Sequence, residues 1–177
     1  MAKNYNGFND YNNSSRNNNQ KSKNDNPKNK NETIEDKKAS LESIEKVMSL
    51  DDIKDTYVEE AHKVIVSFLE LQKNDVISKT KIRSIYNMLC DIIADEEHSE
   101  LQELSGKSQN ALKMFKIRVI YDCGRDKDDK SIRIFTERSH IIGYMLDIGN
   151  SKEKFNIFCK YFEALVAYHR FLYGDTK

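Results

Sequence analysis

The sequence contains very little proline and glycine, and this limits the folds it can adopt. Pro27 is the single proline, and no glycine occurs between Gly7 and Gly106. Hairpins and tight turns between strands depend on these two residue types, so a β-rich fold is disfavoured. The composition therefore predicts an all-α protein, folded as a compact bundle of about five to six helices.

Long hydrophobic runs and paired cysteines are also scarce. No segment approaches the ~18 consecutive apolar residues of a membrane helix, and the N-terminus is too polar for the core of a signal peptide. Cys90, Cys123 and Cys159 are odd in number and widely spaced, which favours reduced thiols over a disulfide framework. We expect a cytoplasmic protein that does not contact a membrane.

The net charge of zero hides three regions of different charge. The first 31 residues carry six basic and two acidic residues and twelve Asn. Residues 32–103 carry nine basic and eighteen acidic residues, whereas residues 104–177 carry fourteen and nine. We predict a disordered, Asn-rich basic tail over 1–31, a peripheral helix or linker over 32–50, and a helical bundle domain over 51–174.

Apolar residues recur at helical spacing along most of the chain. The first predicted helix has a narrow apolar stripe at Leu41, Ile44, Val47 and Met48, and the second is a core helix over about 52–72. A third helix begins near Ser78, and a fourth spans 108–123 and is capped by Gly124. A fifth helix spans about 129–147, and Asn150 or Ser151 caps the last one. The segment 108–123 is apolar on almost every side. We therefore expect it at the centre of the bundle, with Tyr121 in the core.

Catalytic and metal-binding patterns are absent. The four histidines have no pair at metal-binding spacing: His62, His98, His140 and His169. An acidic loop from Asp126 has Lys130 and Ser131 where a calcium loop needs a ligand and a glycine. Cys123 lies near a helix C-terminus, where the helix dipole opposes a thiolate, and is interpreted as a buried structural cysteine. We expect no catalytic residue, no metal and no cofactor, and hence no enzyme.

Basic side chains interrupt the apolar pattern of the second half. Residues 104–118 contain four cations and no acidic residue. Lys113 and Lys116 share one face of the predicted helix. Arg118 points nearly the opposite way and has Asp122 four residues on as an ion-pair partner. The grouping indicates contacts with phosphates, although ordinary surface charge explains any single cation.

Four further residues could contact an anion. Lys79 and Arg83 are four residues apart near a helix start, where the amide dipoles favour anions. Arg125 could reach a phosphate or neutralise the carbonyls at the helix end. Lys160 lies on a polar helix face, where Glu163 is a possible ion-pair partner. These positions extend the candidate phosphate-binding set to three helices.

Two runs of sequence and a weaker third resemble a known family. The run from Phe115 to Asp126 contains an aromatic residue, two further residues and then Gly-Arg-Asp, and the run from Phe158 to Tyr168 contains basic-aromatic-Glu-Ala-Leu-Val-Ala-Tyr. The segment 78–83 adds a hydroxyl-rich helix start followed by an apolar residue and Arg. In this order they resemble the small helical subunit of type III-A CRISPR (Csm) interference complexes, over about residues 57–174.

The resemblance implies a non-catalytic bundle that stacks in several copies along the crRNA guide and the target RNA, in antiviral defence. It implies contacts with the backbone subunits that cut the target, with the large polymerase-domain subunit and with other copies of itself. The RNA-binding residues that it implies are Lys79, Lys81, Arg83, Lys116, Arg118 and Arg125, with Lys160 as a further candidate. Phosphate contacts of this kind do not read base sequence. The residues alone leave an alternative open, a helical protein–protein interaction module without direct nucleic-acid contact.

Overall fold

A computed structural model describes residues 32–97, 101–125 and 129–174 of the chain. The predicted disordered tail of residues 1–31 lies outside these ranges. Within them the chain forms seven α-helices and no β-strand, which confirms the all-α prediction. The helices are α1 (Ile34–Ile44), α2 (Tyr57–Ser67), α3 (Lys79–Glu96), α4 (Gly106–Arg125), α5 (Ser131–Ser139), α6 (Ile141–Ile148) and α7 (Lys152–Tyr173).

Side-chain caps mark the starts of three helices. Thr33 forms a capping box with Asp36 at the start of α1. The Ser78 hydroxyl accepts a hydrogen bond from the Lys81 amide, and the Ser151 hydroxyl accepts one from an amide in the first turn of α7. Each cap satisfies one of the amides that an α-helix leaves without an internal acceptor. The predicted helix starts near Ser78 and Ser151 are therefore confirmed.

Helix α7 lies at the centre of the bundle, and it packs against α2, α3 and α6. The Phe162 ring on α7 contacts the rings of Tyr86, Phe115, Phe135 and Phe158, at centroid distances of 5.7 to 6.5 Å. These rings come from α3, α4 and α5 as well as from α7 itself. The aromatic cluster around Phe162 therefore joins four helices.

The prediction that residues 108–123 form the central helix is wrong. Helix α4 packs against α3 and α5 and buries Leu112, Phe115 and Val119. Its outer face instead exposes large apolar side chains, Met114 at 62%, Ile117 at 58% and Tyr121 at 58%. Tyr121 is therefore a surface residue and not part of the core.

The prediction of one helix over about 129–147 is also wrong. His140 adopts a left-handed backbone conformation, with φ at 51°, and this separates α5 from α6. The interruption leaves the Ser139 carbonyl without its helical donor, and the Tyr161 hydroxyl donates to it at 2.8 Å. A side chain of the central helix thus stabilises the break, which raises the number of helices above the predicted five to six.

The first two predicted helices are shorter in the structure than their apolar patterns indicate. Helix α1 ends at Ile44, which is buried, so Val47 lies outside the helix and is exposed. Helix α2 spans only part of 52–72, with single 3-10 turns at 50–52 and 68–70 on either side. Leu69 in the second turn is exposed. The boundary between the predicted linker 32–50 and the domain 51–174 stays a prediction.

Alanine substitutions at two helical glycines should change the free energy of unfolding in opposite directions. A methyl group at Gly143 would overlap the Lys46 carbonyl oxygen and lie 2.9 Å from Met48 Cγ. Because a backbone carbonyl cannot move aside cheaply, Gly143→Ala should lower the free energy of unfolding by about 1–2 kcal/mol. Gly124 is not the predicted C-cap, since α4 continues through it to Arg125.

A methyl group at Gly124 would meet no atom within 4 Å. Gly124→Ala should therefore raise the free energy of unfolding by about 0.5–1 kcal/mol, because alanine has the higher helix propensity. Urea titrations of both variants test the pair. A destabilised Gly124→Ala would contradict the helical conformation of this residue.

Candidate nucleic-acid interface

Helices α3 and α4 form an antiparallel pair that is tied at both ends. At one end the Ser105 amide donates to Glu96 Oε1 at 3.1 Å, joining the end of α3 to the start of α4. At the other end Lys81 in the first turn of α3 forms an ion pair with Asp129, which follows α4. The cations at the start of α3 therefore lie at the same end of the pair as those in the last turns of α4.

The start of α3 presents three predicted cations in two different states. Lys79 and Arg83 are exposed, and neither forms an ion pair with another described residue. Lys81 is largely covered and binds Asp129. Burial raises the Asp129 pKa, but hydrogen bonds from Lys81 and Ser131 outweigh burial and hold that pKa below its usual value. Lys79 and Arg83 are thus available to a ligand, whereas Lys81 is engaged.

Backbone amides add to the positive character of this helix start. The Ser78 hydroxyl caps the Lys81 amide at 3.3 Å. The amides of Lys79 and Thr80 belong to the first turn, where an α-helix supplies no internal acceptor. Unpaired amides and the helix dipole together favour a negatively charged group at such a position.

The outer face of α4 combines an apolar stripe with two arginines. The stripe consists of Met114, Ile117 and Tyr121, which share a side of the helix because they are three or four residues apart. The Arg118 guanidinium lies 5.9 Å from the centroid of the Tyr121 ring. Arg125 is four residues beyond Tyr121 and lies on the same side. This face thus offers an aromatic ring beside positive charge.

Asp122 binds both arginines of this face. Arg118 Nε lies 3.2 Å from Asp122 Oδ2, which confirms the predicted ion pair. Arg125 Nη1 lies 3.2 Å from Asp122 Oδ1. Both arginines remain about half exposed, whereas the Asp122 side chain is only 13% exposed. Releasing one arginine to a phosphate leaves the other paired with this half-buried carboxylate.

Two predicted residues lie apart from this end of the α3–α4 pair. Lys116 turns to the opposite side of α4, where its Nζ lies 2.6 Å from Glu45 Oε1. Lys160 is exposed on α7 and forms no ion pair with Glu163 or another described residue. The Tyr86 ring on α3 contacts the Phe162 ring on α7, which is two residues from Lys160. At a rise of 1.5 Å per residue along the two helices, Lys160 lies roughly 14 Å from the start of α3.

The residues considered for catalysis occupy structural positions. Cys123 is partly buried, its Sγ lies 3.5 Å from Thr136 Oγ1, and burial raises its pKa. Within the described ranges, no group of three or more His, Cys, Asp or Glu side chains could hold a metal ion. None of the helices there is long and apolar enough to cross a membrane.

Sequence reasoning missed two features of this region. The first is the double role of Asp122, which its spacing of three residues from Arg125 could have revealed. The second is the exposure of Met114, Ile117 and Tyr121, for which the sequence carries no signal because apolar residues occupy several sides of α4. Which side meets the bundle depends on neighbours distant in the chain.

Comparison with known proteins identifies relatives over most of the bundle. The model of a family described as Csm2 Type III-A matches residues 54–175. Proteins named CRISPR system Cms protein Csm2 are similar to the chain. The one from Mycobacterium tuberculosis is 24% identical over 121 residues, which cover 68% of this chain and 94% of the relative. The one from Streptococcus thermophilus is 25% identical over 122 residues, covering 68% and 93%. The one from Enterococcus italicus is 29% identical over 98 residues, covering 54% and 67%.

Proposed function

Since the chain belongs to the type III-A Csm2 family, it is a small non-catalytic subunit of a type III-A CRISPR effector complex, and we propose that it contacts the RNA backbone within that complex. The proposed ligands are the crRNA and the target RNA, and the proposed setting is antiviral defence in the cytoplasm. The subunit positions RNA and leaves its cleavage to others. Base pairing between guide and target then supplies the sequence specificity that phosphate contacts lack.

The start of α3 carries this proposal. Lys79 and Arg83 are exposed without an ion-pair partner among the described residues, beside a helix start that favours anions. Arg118 and Arg125 lie near the same end of the α3–α4 pair, and each keeps a half-exposed guanidinium while it shares Asp122 with the other. These four cations form the proposed main phosphate contact.

The remaining three predicted cations take smaller parts in this proposal. Lys81 and Lys116 reach a phosphate only after release from Asp129 and Glu45, in pairs that are largely covered. Substituting either lysine therefore changes the fold and the binding surface together. Lys160 forms a second and separate contact further along the bundle.

The apolar stripe of α4 favours a protein partner as a second role. Met, aromatic residues and Arg are enriched in protein interfaces, and Met114, Ile117, Tyr121 and Arg118 combine all three types. The proposed partners are the backbone subunits, the large polymerase-domain subunit or another copy of this chain. In the alternative function, a protein-interaction module without RNA contact, this stripe is the whole functional surface.

Removing the two unpaired cations tests the RNA contact. In the assembled complex, Lys79→Ala/Arg83→Ala should weaken RNA binding on the order of tenfold, because two charged phosphate contacts are lost. The slope of log affinity against log salt concentration should become shallower by about one for each lost contact. Filter binding across a salt series measures both quantities.

The matched control is Lys38→Ala/Lys63→Ala, which removes two exposed lysines on α1 and α2. It changes the net charge equally and should leave affinity and slope unchanged. Equal subunit ratios in both complexes establish that assembly is intact. If Lys79→Ala/Arg83→Ala behaves like this control, the proposed phosphate role is wrong and the protein-interaction alternative takes its place.

A further inference from the structure

A second group of cations precedes the helical bundle in the chain. Residues 21–30, here called the lysine segment, contain four lysines and one acidic residue, Asp25. Apart from Pro27, every other residue in the segment is Ser or Asn. A basic segment without large apolar side chains cannot form a core, and such segments often bind nucleic acid. The family match begins at residue 54, so it assigns no role to this segment.

Contacts of α1 and the turn after it show how this part of the chain runs along the bundle. The Ser40 hydroxyl on α1 donates to Glu137 on α5, and the Leu50 amide donates to Asp147 Oδ2 on α6 at 2.9 Å. Both pairs are separated by 97 positions, so the chain from α1 onward runs in the same direction as α5 and α6. Helix α1 packs against α5. The start of α1 is therefore level with the start of α5.

The start of α5 lies at the end of the bundle that carries the candidate phosphate contacts. Asp129 comes two residues before α5, and it forms an ion pair with Lys81 in the first turn of α3. The start of α1 is thus at the same end of the bundle as the start of α3. Thr33 is the N-cap residue of α1, and the lysine segment is attached there through residues 31 and 32.

The attachment point limits how far the lysines can be from this end. An extended chain spans at most ~3.6 Å per residue, so Lys30 lies within about 11 Å of Thr33 and Lys21 within about 43 Å. All four lysines can therefore reach a strand of nucleic acid that is bound at the start of α3.

The carboxylates near this end offer the lysine segment little. Asp36 accepts hydrogen bonds from the amide and the hydroxyl of Thr33, which hold its pKa below the usual value. Asp122 and Asp129 form the ion pairs described above. Glu35 is exposed, and alone it offsets one of the four lysines. The lysine segment therefore adds positive charge to an end that already carries exposed cations, which favours a polyanion as their common ligand.

We propose that the lysine segment is a second RNA contact, in which its lysines bind phosphates of the strand held by the main phosphate contact at the start of α3. The proposal rests on the proposed function, because it requires that this strand is RNA. Attachment at Thr33 keeps the lysines at a high effective concentration near the strand. The segment binds phosphates, so it is as independent of base sequence as the main contact.

Replacing the four lysines with glutamine tests this contact in the assembled complex. Lys21→Gln/Lys23→Gln/Lys28→Gln/Lys30→Gln should weaken RNA binding roughly tenfold, because up to four phosphate contacts are lost. The slope of log affinity against log salt concentration should become shallower by about two to four. Filter binding across a salt series measures both quantities. Unchanged affinity and slope overturn the proposal.

Arginine at the same four positions provides the matched control. This variant keeps every charge, and a phosphate contact of this kind requires the charge alone, so affinity and slope should equal those of the wild-type protein. A loss of affinity in the arginine variant would overturn the proposal. So would a glutamine variant that loses a companion subunit and keeps the wild-type slope, because the lysine segment would then bind protein. Thermal unfolding of all three proteins should coincide, because the substitutions precede α1.

The role of the attachment point has a separate test. An insertion of about 24 glycine and serine residues between Asn31 and Glu32 keeps all charges and lengthens the connection. Effective concentration falls roughly as the −3/2 power of linker length, so RNA binding should weaken roughly fivefold, which is less than in the glutamine variant. Wild-type affinity after the insertion overturns the proposal, since the place of attachment would then contribute nothing.

Failure of this proposal can be distinguished from failure of the proposed function. If Lys79→Ala/Arg83→Ala weakens RNA binding and the glutamine variant does not, the main contact stands and the lysine segment has no part in it. If the glutamine variant alone weakens binding, no strand is held at the start of α3. A strand shared by the two contacts is then wrong as well.

Discussion

Replacing Phe162 with alanine should lower the free energy of unfolding by about 4 kcal/mol. The side chain is fully buried, and its ring contacts four other aromatic rings. Truncation removes apolar burial, leaves a cavity and eliminates aromatic contacts worth about 0.5–1.5 kcal/mol per pair. Guanidinium titration monitored by circular dichroism measures the change.

Phe171→Ala is the matched control for this prediction. It makes the same truncation on the same helix, at a side chain that is 86% exposed. A surface substitution of this kind changes stability by no more than about 0.5 kcal/mol. Similar losses for the two variants would contradict the position of Phe162 in the core and the central place of α7.

The Phe162 substitution also bears on the RNA surface. Its ring contacts Tyr86 on α3 and Phe115 on α4, so the core fixes the two helices that carry the proposed phosphate contacts. A loosened core should weaken RNA binding only near the unfolding transition. Under conditions where the variant is fully folded, the salt slope should match that of the wild-type protein, because no cation is lost.

Periodicity in the sequence identifies a helix well when one face alone is apolar. In α3, Ile82, Ile85, Leu89 and Ile92 follow helical spacing, and all four are buried. In α4, apolar residues occupy several sides, so the pattern indicates a helix without indicating which side faces the bundle. The wrong central position of α4 and the wrong burial of Tyr121 both follow from this ambiguity.

Breaks and caps depend on contacts that are distant in the chain. The left-handed His140 is stabilised by the Tyr161 hydroxyl, which binds the preceding carbonyl from a helix twenty-two residues away. Gly124 has the sequence context of a C-cap, yet α4 continues beyond it. Local propensity is a weak prior, and at the break before His140 a contact distant in the chain overrides it.

In the candidate site, too, local contacts could be predicted from the sequence and distant contacts could not. The pair of Arg118 with Asp122 is local and was predictable from its spacing of four residues. The partners of Lys81 and Lys116 are Asp129 and Glu45, which lie 48 and 71 positions away in the chain. Spacing carries no information about such pairs, so the sequence could not separate engaged cations from available ones.

Replacing Glu96 with alanine should lower the free energy of unfolding by about 2–3 kcal/mol. Glu96 is only 2% exposed, and its Oε1 accepts the Ser105 amide at 3.1 Å. Ser105 in turn caps the first turn of α4 by accepting the Ser108 amide at 3.2 Å. The substitution leaves a partly buried amide without its acceptor and removes a charged acceptor, each of which is costly.

The neighbouring substitution Glu97→Ala is the control for Glu96→Ala. Glu97 is exposed at the end of α3, so its loss should change stability by no more than about 0.5 kcal/mol. Urea titration at pH 7 compares the two variants. If both behave alike, the carboxylate of Glu96 does not fasten α4 to α3.

The pH dependence of the Glu96 effect follows from its surroundings. Burial raises the Glu96 pKa, but hydrogen bonds from Ser108 and Ser105 and the charge of Lys152 outweigh burial, so the folded-state pKa lies below the usual value of 4.5. A carboxylate of this kind stabilises the fold fully above its unfolded-state pKa, and the contribution disappears as the pH falls through the folded-state pKa. The stability difference between wild type and Glu96→Ala should be constant from pH 7 to about 5.5 and shrink below about 4.

Because Glu96 ties the end of α3 to the start of α4, this acid-sensitive contact also maintains the antiparallel pair on which the proposed RNA surface lies. A difference that grows as the pH falls would mean that the protonated form of Glu96 stabilises the pair.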